Sequence, residues 1–239
     1  MGIHIGTSGW HYRHWVGLFY PKGMKPDEML QYYAGEFTAV EVNNSFYRLP
    51  DKETLIAWRD STPGRFVFAF KASRYVTHMK KLKDAREALG KTLAGARVLE
   101  EKLGPVLFQL PPRWRVNPGR LQEFLKHMPN DVRVAFEFRD PSWFTDEVYG
   151  LLRGHGAAFC IYDLQGKKSP TEVTADFVYV RMHGAAGAYQ GRYTQRVLSG
   201  WTEAVSSWHG TGKDVFLFFN NDSQGYAIEN ARELKKMLA

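Results

Sequence analysis

The chain has 239 residues, 44% hydrophobic and 24% charged, and a net charge of +7 from 32 basic and 25 acidic side chains. That balance is ordinary for a folded domain and excludes a disordered or fibrous chain. One cysteine, Cys160, excludes an internal disulfide, and no apolar run approaches the roughly 18 residues of a membrane helix.

The opening MGIHIGTSGW lacks the basic and apolar regions of a secretory signal. The expectation is a soluble, reduced, cytoplasmic protein with no membrane partner. In chain order, Ile3–Thr7 reads as a first strand and Pro26–Ala34 as a helix. Pro26 suits a first helical turn, and Asp27 and Glu28 suit its positive end. Strand Thr38–Asn43, helix Lys52–Asp60, strand Phe66–Lys71 and helix Ala85–Leu103 follow. Then come strand Val106–Leu110, helix Pro118–Met128, strand Val132–Phe138, helix Thr145–Arg153 and strand Ala157–Asp163. The segment LQGKKSPTEV is too polar and proline-broken for a helix. Strand Phe177–His183, a helix over Thr194–Trp208, strand Val215–Asn220 and helix Tyr226–Leu238 complete the chain. Strands recur about every 30 residues, the length of one βα unit. No linker or repeat divides the chain. The prediction is an α/β fold, a single (β/α)8 TIM-type barrel with a parallel sheet, as one domain over 1–239.

Alternation along the strands predicts which side chains point inward. Ala39, Glu41 and Asn43 share a face, as do Arg133, Ala135 and Glu137, and Tyr179, Arg181 and His183. The phenylalanines 66, 68 and 70 face outward while Lys71 ends the inner row. His4 and Ser8 share the inner face of the first strand, and Gln109 and Asp163 end their strands in the same way. Cys160, out of parity with Asp163, is expected against the helices. Polar tips thus gather at the C-terminal rim, where barrels of this type carry their active sites.

Glu41 and Glu137 are candidates for acid/base catalysis, kept ionised by nearby cations. Lys71 invites a nucleophilic reading, with an ion pair to Glu41 or a phosphate contact as the favoured alternative. His183 completes the candidate catalytic group. It is the one histidine of eight that ends a strand on the inner face. The pattern names no cofactor, and a divalent metal is an alternative that so few inward histidines do not favour. The other reading of this rim is a polar plug, with Lys71 and Arg181 neutralising the two glutamates.

The loops after the strands interleave cations with aromatics: Trp10 to Trp15, Tyr47-Arg48, Arg74-Tyr75 with His78, Arg113-Trp114-Arg115, and Arg139 with Trp143. Arginine contacts phosphate bidentately, and exposed rings stack on bases or sugars. The alternative is that these rings clamp the loops onto the barrel. The predicted substrate-binding set is Trp10, Asn43, Tyr47, Gln109, Arg139, Trp143, Asp163, Arg181, Asn220 and Asp222. Trp10, Tyr47 and Trp143 would line the entrance. Arg139, Arg181 and the glycine-rich loop His183–Gly191 would hold anionic groups. The expected ligand is a phosphate-bearing small molecule or a nucleic acid, with phosphodiester or sugar-phosphate hydrolysis as the reaction class. The alternatives are a sugar-phosphate enzyme without polymer contact and a non-catalytic binding protein.

Ordered blocks along almost the whole chain resemble the YecE-like family, domain of unknown function 72. They are GTSGWHYRHWVGLFYP (6–21), EVNNSFYRLP (41–50), FVFAFKASRYVTH (66–78), LFQLPP (107–112), FEFRDPSW (136–143), YVRMHG (179–184) and FFNNDSQGYAIENA (218–231). The resemblance implies a bacterial or archaeal (β/α)8 barrel, distantly like the endonuclease IV and sugar-isomerase barrels, which are metal enzymes. The chain lacks the many inward histidines of endonuclease IV, so that three-metal centre does not carry over.

Overall fold

A computed structural model describes residues 1–239. Eight parallel strands form the expected barrel: β1 (Ile3–Thr7), β2 (Ala39–Val42), β3 (Val67–Lys71), β4 (Leu103–Gln109), β5 (Val134–Glu137), β6 (Ala158–Leu164), β7 (Phe177–Met182) and β8 (Asp214–Phe219). Hydrogen-bonded neighbours run β2 through β8 in sequence order and then to β1. Seven helices cover the outside: α1 (Met29–Glu36), α2 (Lys52–Asp60), α3 (Arg86–Ala96), α4 (Pro118–Leu125), α5 (Asp146–Gly154), α6 (Gln195–Gly210) and α7 (Tyr226–Met237). Local chemistry sets several starts. The side chains of Asp51, Asn117, Thr145 and Thr194 accept the otherwise orphaned amides of Thr54, Arg120, Val148 and Val197.

Three elements depart from the sequence expectation. Helix α1 starts at Met29, because Pro26 to Glu28 form turns instead of a first helical turn. The helix expected over 85–103 ends at Ala96 and tightens into a 3₁₀ segment, Arg97–Lys102. Strand β4 accordingly begins at Leu103. There Gly104 lets two backbones close up, since a Cβ would stand 2.6 Å from Val67 and 3.2 Å from the Phe68 carbonyl oxygen. Between β6 and β7, where the sequence predicts no helix, the chain makes a short strand, Lys167–Lys168, antiparallel to β6.

The cylinder closes differently at its last edge. Strands β1 and β2 share one bridge, Ser8 to Glu41, and one amide bond from Gly9 to the Glu41 carbonyl at 2.9 Å. Below it, the hydroxyl of Tyr33 on α1 replaces the ladder. It accepts from the Thr7 amide at 2.8 Å and donates to the Ala39 carbonyl at 3.1 Å. Gly6 is required here, because a Cβ would fall 2.0 Å from that same carbonyl oxygen.

Inside the barrel lies a core separate from the one under the helices. Ala39, Ala69, Ala135 and Ala158 from one wall face Phe177, Tyr179, Phe216 and Phe218 from the other, so small and large residues fill the axis together. Burying each aromatic ring contributes roughly 1.5–3 kcal/mol. Cys160 belongs to this inner core. That corrects its expected place against the helices and reverses the parity of β6. Asp163 is therefore on the helix side, beside Met182, while Tyr162 points inward beside Arg181.

Candidate functional site

Alternation on β2, β5 and β7 carries Glu41, Glu137 and Arg181 to one level above the inner core, all essentially unexposed. Arg181 bridges the two carboxylates, with Nη2 2.7 Å from Glu41 Oε1 and Nη1 2.7 Å from Glu137 Oε2. Glu41 accepts three more bonds, from Ser8 Oγ at 2.7 Å, Asn43 Nδ2 at 3.0 Å and Tyr179 Oη at 2.7 Å. Glu137 accepts from Arg139 Nε, and the Cys160 thiol sits 3.8 Å from its other oxygen. Burial alone would raise both carboxyls. Arg181 overcomes it at Glu41, and Arg139 with Arg181 overcomes it at Glu137, so both stay below the usual carboxylate range.

This geometry does not fit the acid/base roles expected of Glu41 and Glu137. Both are held ionised, so neither has a proton to give as an acid, and neither presents an exposed oxygen as a base. The plug reading describes these two carboxylates and Arg181, and it fails at Lys71. Lys71 is 9% exposed, with no carboxylate oxygen within 4.0 Å and no protein acceptor. Its Nζ instead lies 4.3 Å from the centre of the Phe46 ring. Burial, and then the Arg181 charge, push the amine down to about 8 against the pull of Glu41 and Glu137. The other buried lysine, Lys102, shows what a structural lysine looks like. Its ammonium donates to the carbonyls of Arg59 and Thr62 and to Thr62 Oγ1, closing the end of α2.

Arg139 and His183 form the next level. Arg139 Nη2 donates to His183 Nε2 at 2.8 Å, and its guanidinium lies 5.1 Å from the Tyr162 ring centre. Arginine has no acceptor, so Nε2 must accept and the ring proton lies on Nδ1; the Asn220 amide, whose Nδ2 is placed 3.1 Å away, then turns its oxygen to that proton. Burial and the Arg181 charge push His183 down to about 3, so the imidazole is neutral. The exposed Tyr189 ring stands edge-on to it at 5.6 Å.

The structure brings Asn43, Lys71, Gln109, Arg139, Arg181, His183 and Asn220 together at the mouth, around Glu41 and Glu137. Four candidates lie elsewhere or do other work. Asp163 points to the helix layer near Tyr193. Trp143 is fully buried, stacked on Phe138 at 4.9 Å, and its indole N–H donates to the Trp114 carbonyl at 2.6 Å. It clamps two loops and lines no entrance. Asp222 accepts from the Trp15 indole at 3.0 Å and faces His14 at 3.4 Å, anchoring the loop after β1. Trp10 lines a side cavity of about 520 Å3 with Tyr12, Leu30 and Trp58, and Asn43 is shared between this cavity and the mouth. Tyr47 remains at the entrance, 74% exposed.

In the glycine-rich loop after β7 the amides of Ala185, Gly187, Ala188 and Gly191 have no partner within the protein, while others are engaged. Those of Gly184, Ala186, Tyr189 and Gln190 donate to Tyr193 Oη and to carbonyls within residues 183–190. Asn221 and Asn230 then tie it down through Gly191 and Tyr193. No group of three or more His, Cys, Asp or Glu side chains converges as a metal site would require. Tyr162 and Cys160 were missed because β6 is buried on both faces, which erases the contrast that alternation needs. No helix is long and apolar enough to cross a membrane.

A family model described as protein of unknown function DUF72 matches residues 4–239. The chain is 28% identical to UPF0759 protein YunF of Bacillus subtilis, over 99% of this chain and 94% of the relative. It is 28% identical to UPF0759 protein YecE of Escherichia coli K12, over 95% and 89%. Among solved structures, a DUF72 family protein from Thermotoga maritima, TM1631, superposes with a TM-score of 0.89 at 30% identity, covering 100% of this chain and 99% of that one.

Proposed function

The chain belongs to the DUF72 family, and from that premise we propose that its barrel mouth binds a small phosphate- or carboxylate-bearing molecule. One observation carries this reading. Three cations, Arg181, Arg139 and Lys71, surround two carboxylates, and Lys71 has no ion pair. The Lys71 stem is buried while its Nζ keeps access to the mouth, and a cation so poorly solvated is relieved by an anion. Arg139 keeps an unengaged Nη1, and Asn43 Oδ1 is buried without a donor. Two-carboxylate hydrolysis receives no support from Glu41 and Glu137, and the chemistry is better sought at the cations.

Calorimetric titration with inorganic phosphate and ribose 5-phosphate tests the reading. Binding is expected below pH 8, weakened at least about tenfold by Arg139→Ala or Lys71→Met. Equal binding by wild type and both variants would overturn it.

A nucleic-acid reading rests on a different observation. Of the exposed large apolar side chains, Val16, Leu18, Tyr47, Tyr75, Met79 and Tyr189 all lie in loops after β1, β2, β3 and β7. Arg48 and Arg74 stand beside Tyr47 and Tyr75. Single strands bind to such mixtures of rings and cations. Titration with short DNA and RNA at low salt would then show binding with a steep salt slope, insensitive to Lys71→Met.

A further inference from the structure

We propose that Lys71 forms a Schiff base, and that the mouth takes a small aldehyde or ketone carrying a carboxylate or phosphate, with its carbonyl carbon at Nζ and its anionic group toward Arg139. The proposal rests on the anion-binding reading above and names its substrate class.

The argument starts from the two buried lysines. Lys102 has an acceptor for its protons and works as a cap. Lys71 has none, and lies over an apolar ring at the inner end of β3. An amine that only paired charge would be expected against Glu41. Instead both Glu41 and Glu137 are occupied by Arg181, Arg139, Ser8, Asn43 and Tyr179. Burial costs such an amine its proton. At pH 7.5, a group with a pKa of about 8 is about one quarter neutral, against about one thousandth for an ordinary lysine. A neutral amine is the form that attacks a carbonyl.

The step balances without any further reagent. The ammonium gives up a proton to the solvent, and Nζ adds to the carbonyl carbon as the C=O π bond opens to a carbinolamine. The hydroxyl takes a proton back from the solvent, the C–O bond breaks, the oxygen leaves as water, and a C=N bond forms. Ammonium and carbonyl compound thus become iminium and water, with one positive charge on each side. Glu41 and Glu137, already ionised, favour the cationic iminium without removing its proton.

The experiment uses the whole chain with glyoxylate, pyruvate and glyceraldehyde 3-phosphate, each with sodium borohydride, read by intact mass and peptide mapping. The expected result is one adduct on the Lys71 peptide. Its rate should rise with a midpoint near pH 8, set by burial together with Arg181, Arg139, Glu41 and Glu137 around the amine, and inorganic phosphate should slow it. Lys71→Arg should reduce labelling at least about tenfold while circular dichroism stays unchanged, and Lys71→Met serves if the arginine misfolds. Labelling spread over surface lysines and indifferent to either variant would overturn the proposal. If phosphate binds by calorimetry but no probe is trapped, the Schiff base falls and the anion site stands. If an adduct forms that phosphate does not slow, the anionic part falls and the reactive amine stands.

Discussion

The two ends of the barrel are built from the same strands and carry the same kinds of charge. At the N-terminal end Arg133 meets Asp214 at 2.6 Å and Asp176 at 3.7 Å, and the chain's own amino group lies 3.9 Å from Asp214. Two positive groups face two negative ones, and Arg133 and Asp176 are 43% and 76% exposed. At the C-terminal end three cations face two carboxylates, all of them buried or nearly so. Water screens the lower network, so its balance is of little consequence. The upper one is unscreened, and its single excess charge sets the chemistry of the mouth. Alternation puts ions at both ends, and burial decides which end has a function.

The strongest break in that comparison is Arg181→Met. It leaves two buried carboxylates without their shared partner, and stability should fall by about 3–5 kcal/mol in urea denaturation. A loss below about 1 kcal/mol would mean that the upper network is as screened as the lower one.

Acid should attack the same end next. His183 takes a proton near pH 3 when folded and near its ordinary 6.5 when unfolded, so the unfolded chain binds more protons between these values and stability falls as pH drops through that window. Glu41 and Glu137, held below their usual range, stabilise above about pH 4.5 and lose that contribution as pH falls further. His183→Gln should flatten the curve between pH 6.5 and 4.5. An unchanged curve would place acid sensitivity elsewhere.

Lys71→Met should have the opposite sign to Arg181→Met, raising stability by about 0.5–2 kcal/mol while removing anion binding. A destabilised variant would mean that the amine is satisfied in the folded protein. The smallest effect belongs to the lower end. Arg133→Ala should cost less than about 1 kcal/mol, and the loss should disappear in high salt.

Much of this was legible in the residues. Where a strand alternates a polar residue with a bulky apolar one, as in Ala39-Val40-Glu41-Val42 or Tyr179-Val180-Arg181-Met182, the inner face follows at once. On β6, Phe159-Cys160-Ile161-Tyr162-Asp163 is buried throughout, and a charged end residue points to the wrong parity. Loop tryptophans were ambiguous for another reason. Trp143 and Trp15 sit among arginines in sequence, yet Trp143 partners the ring and carbonyl of Trp114 and Trp15 the carboxylate of Asp222, and only tertiary packing decides between a clamp and a stacking platform. The charges of the mouth were foreseeable one by one. Their saturation at Glu41 and vacancy at Lys71 depend on angles that no spacing encodes.

The Tyr33 hydroxyl gives the molecule a door. Everywhere else adjoining strands are laced by repeated amide bonds, but the leaf made of β1 and α1 meets β2 through a phenol and one short bridge. Native-state hydrogen exchange would find this edge opening at a lower cost than any other side of the cylinder. Each such excursion would part Ser8 from Glu41 and let solvent reach a carboxylate that is sealed from above.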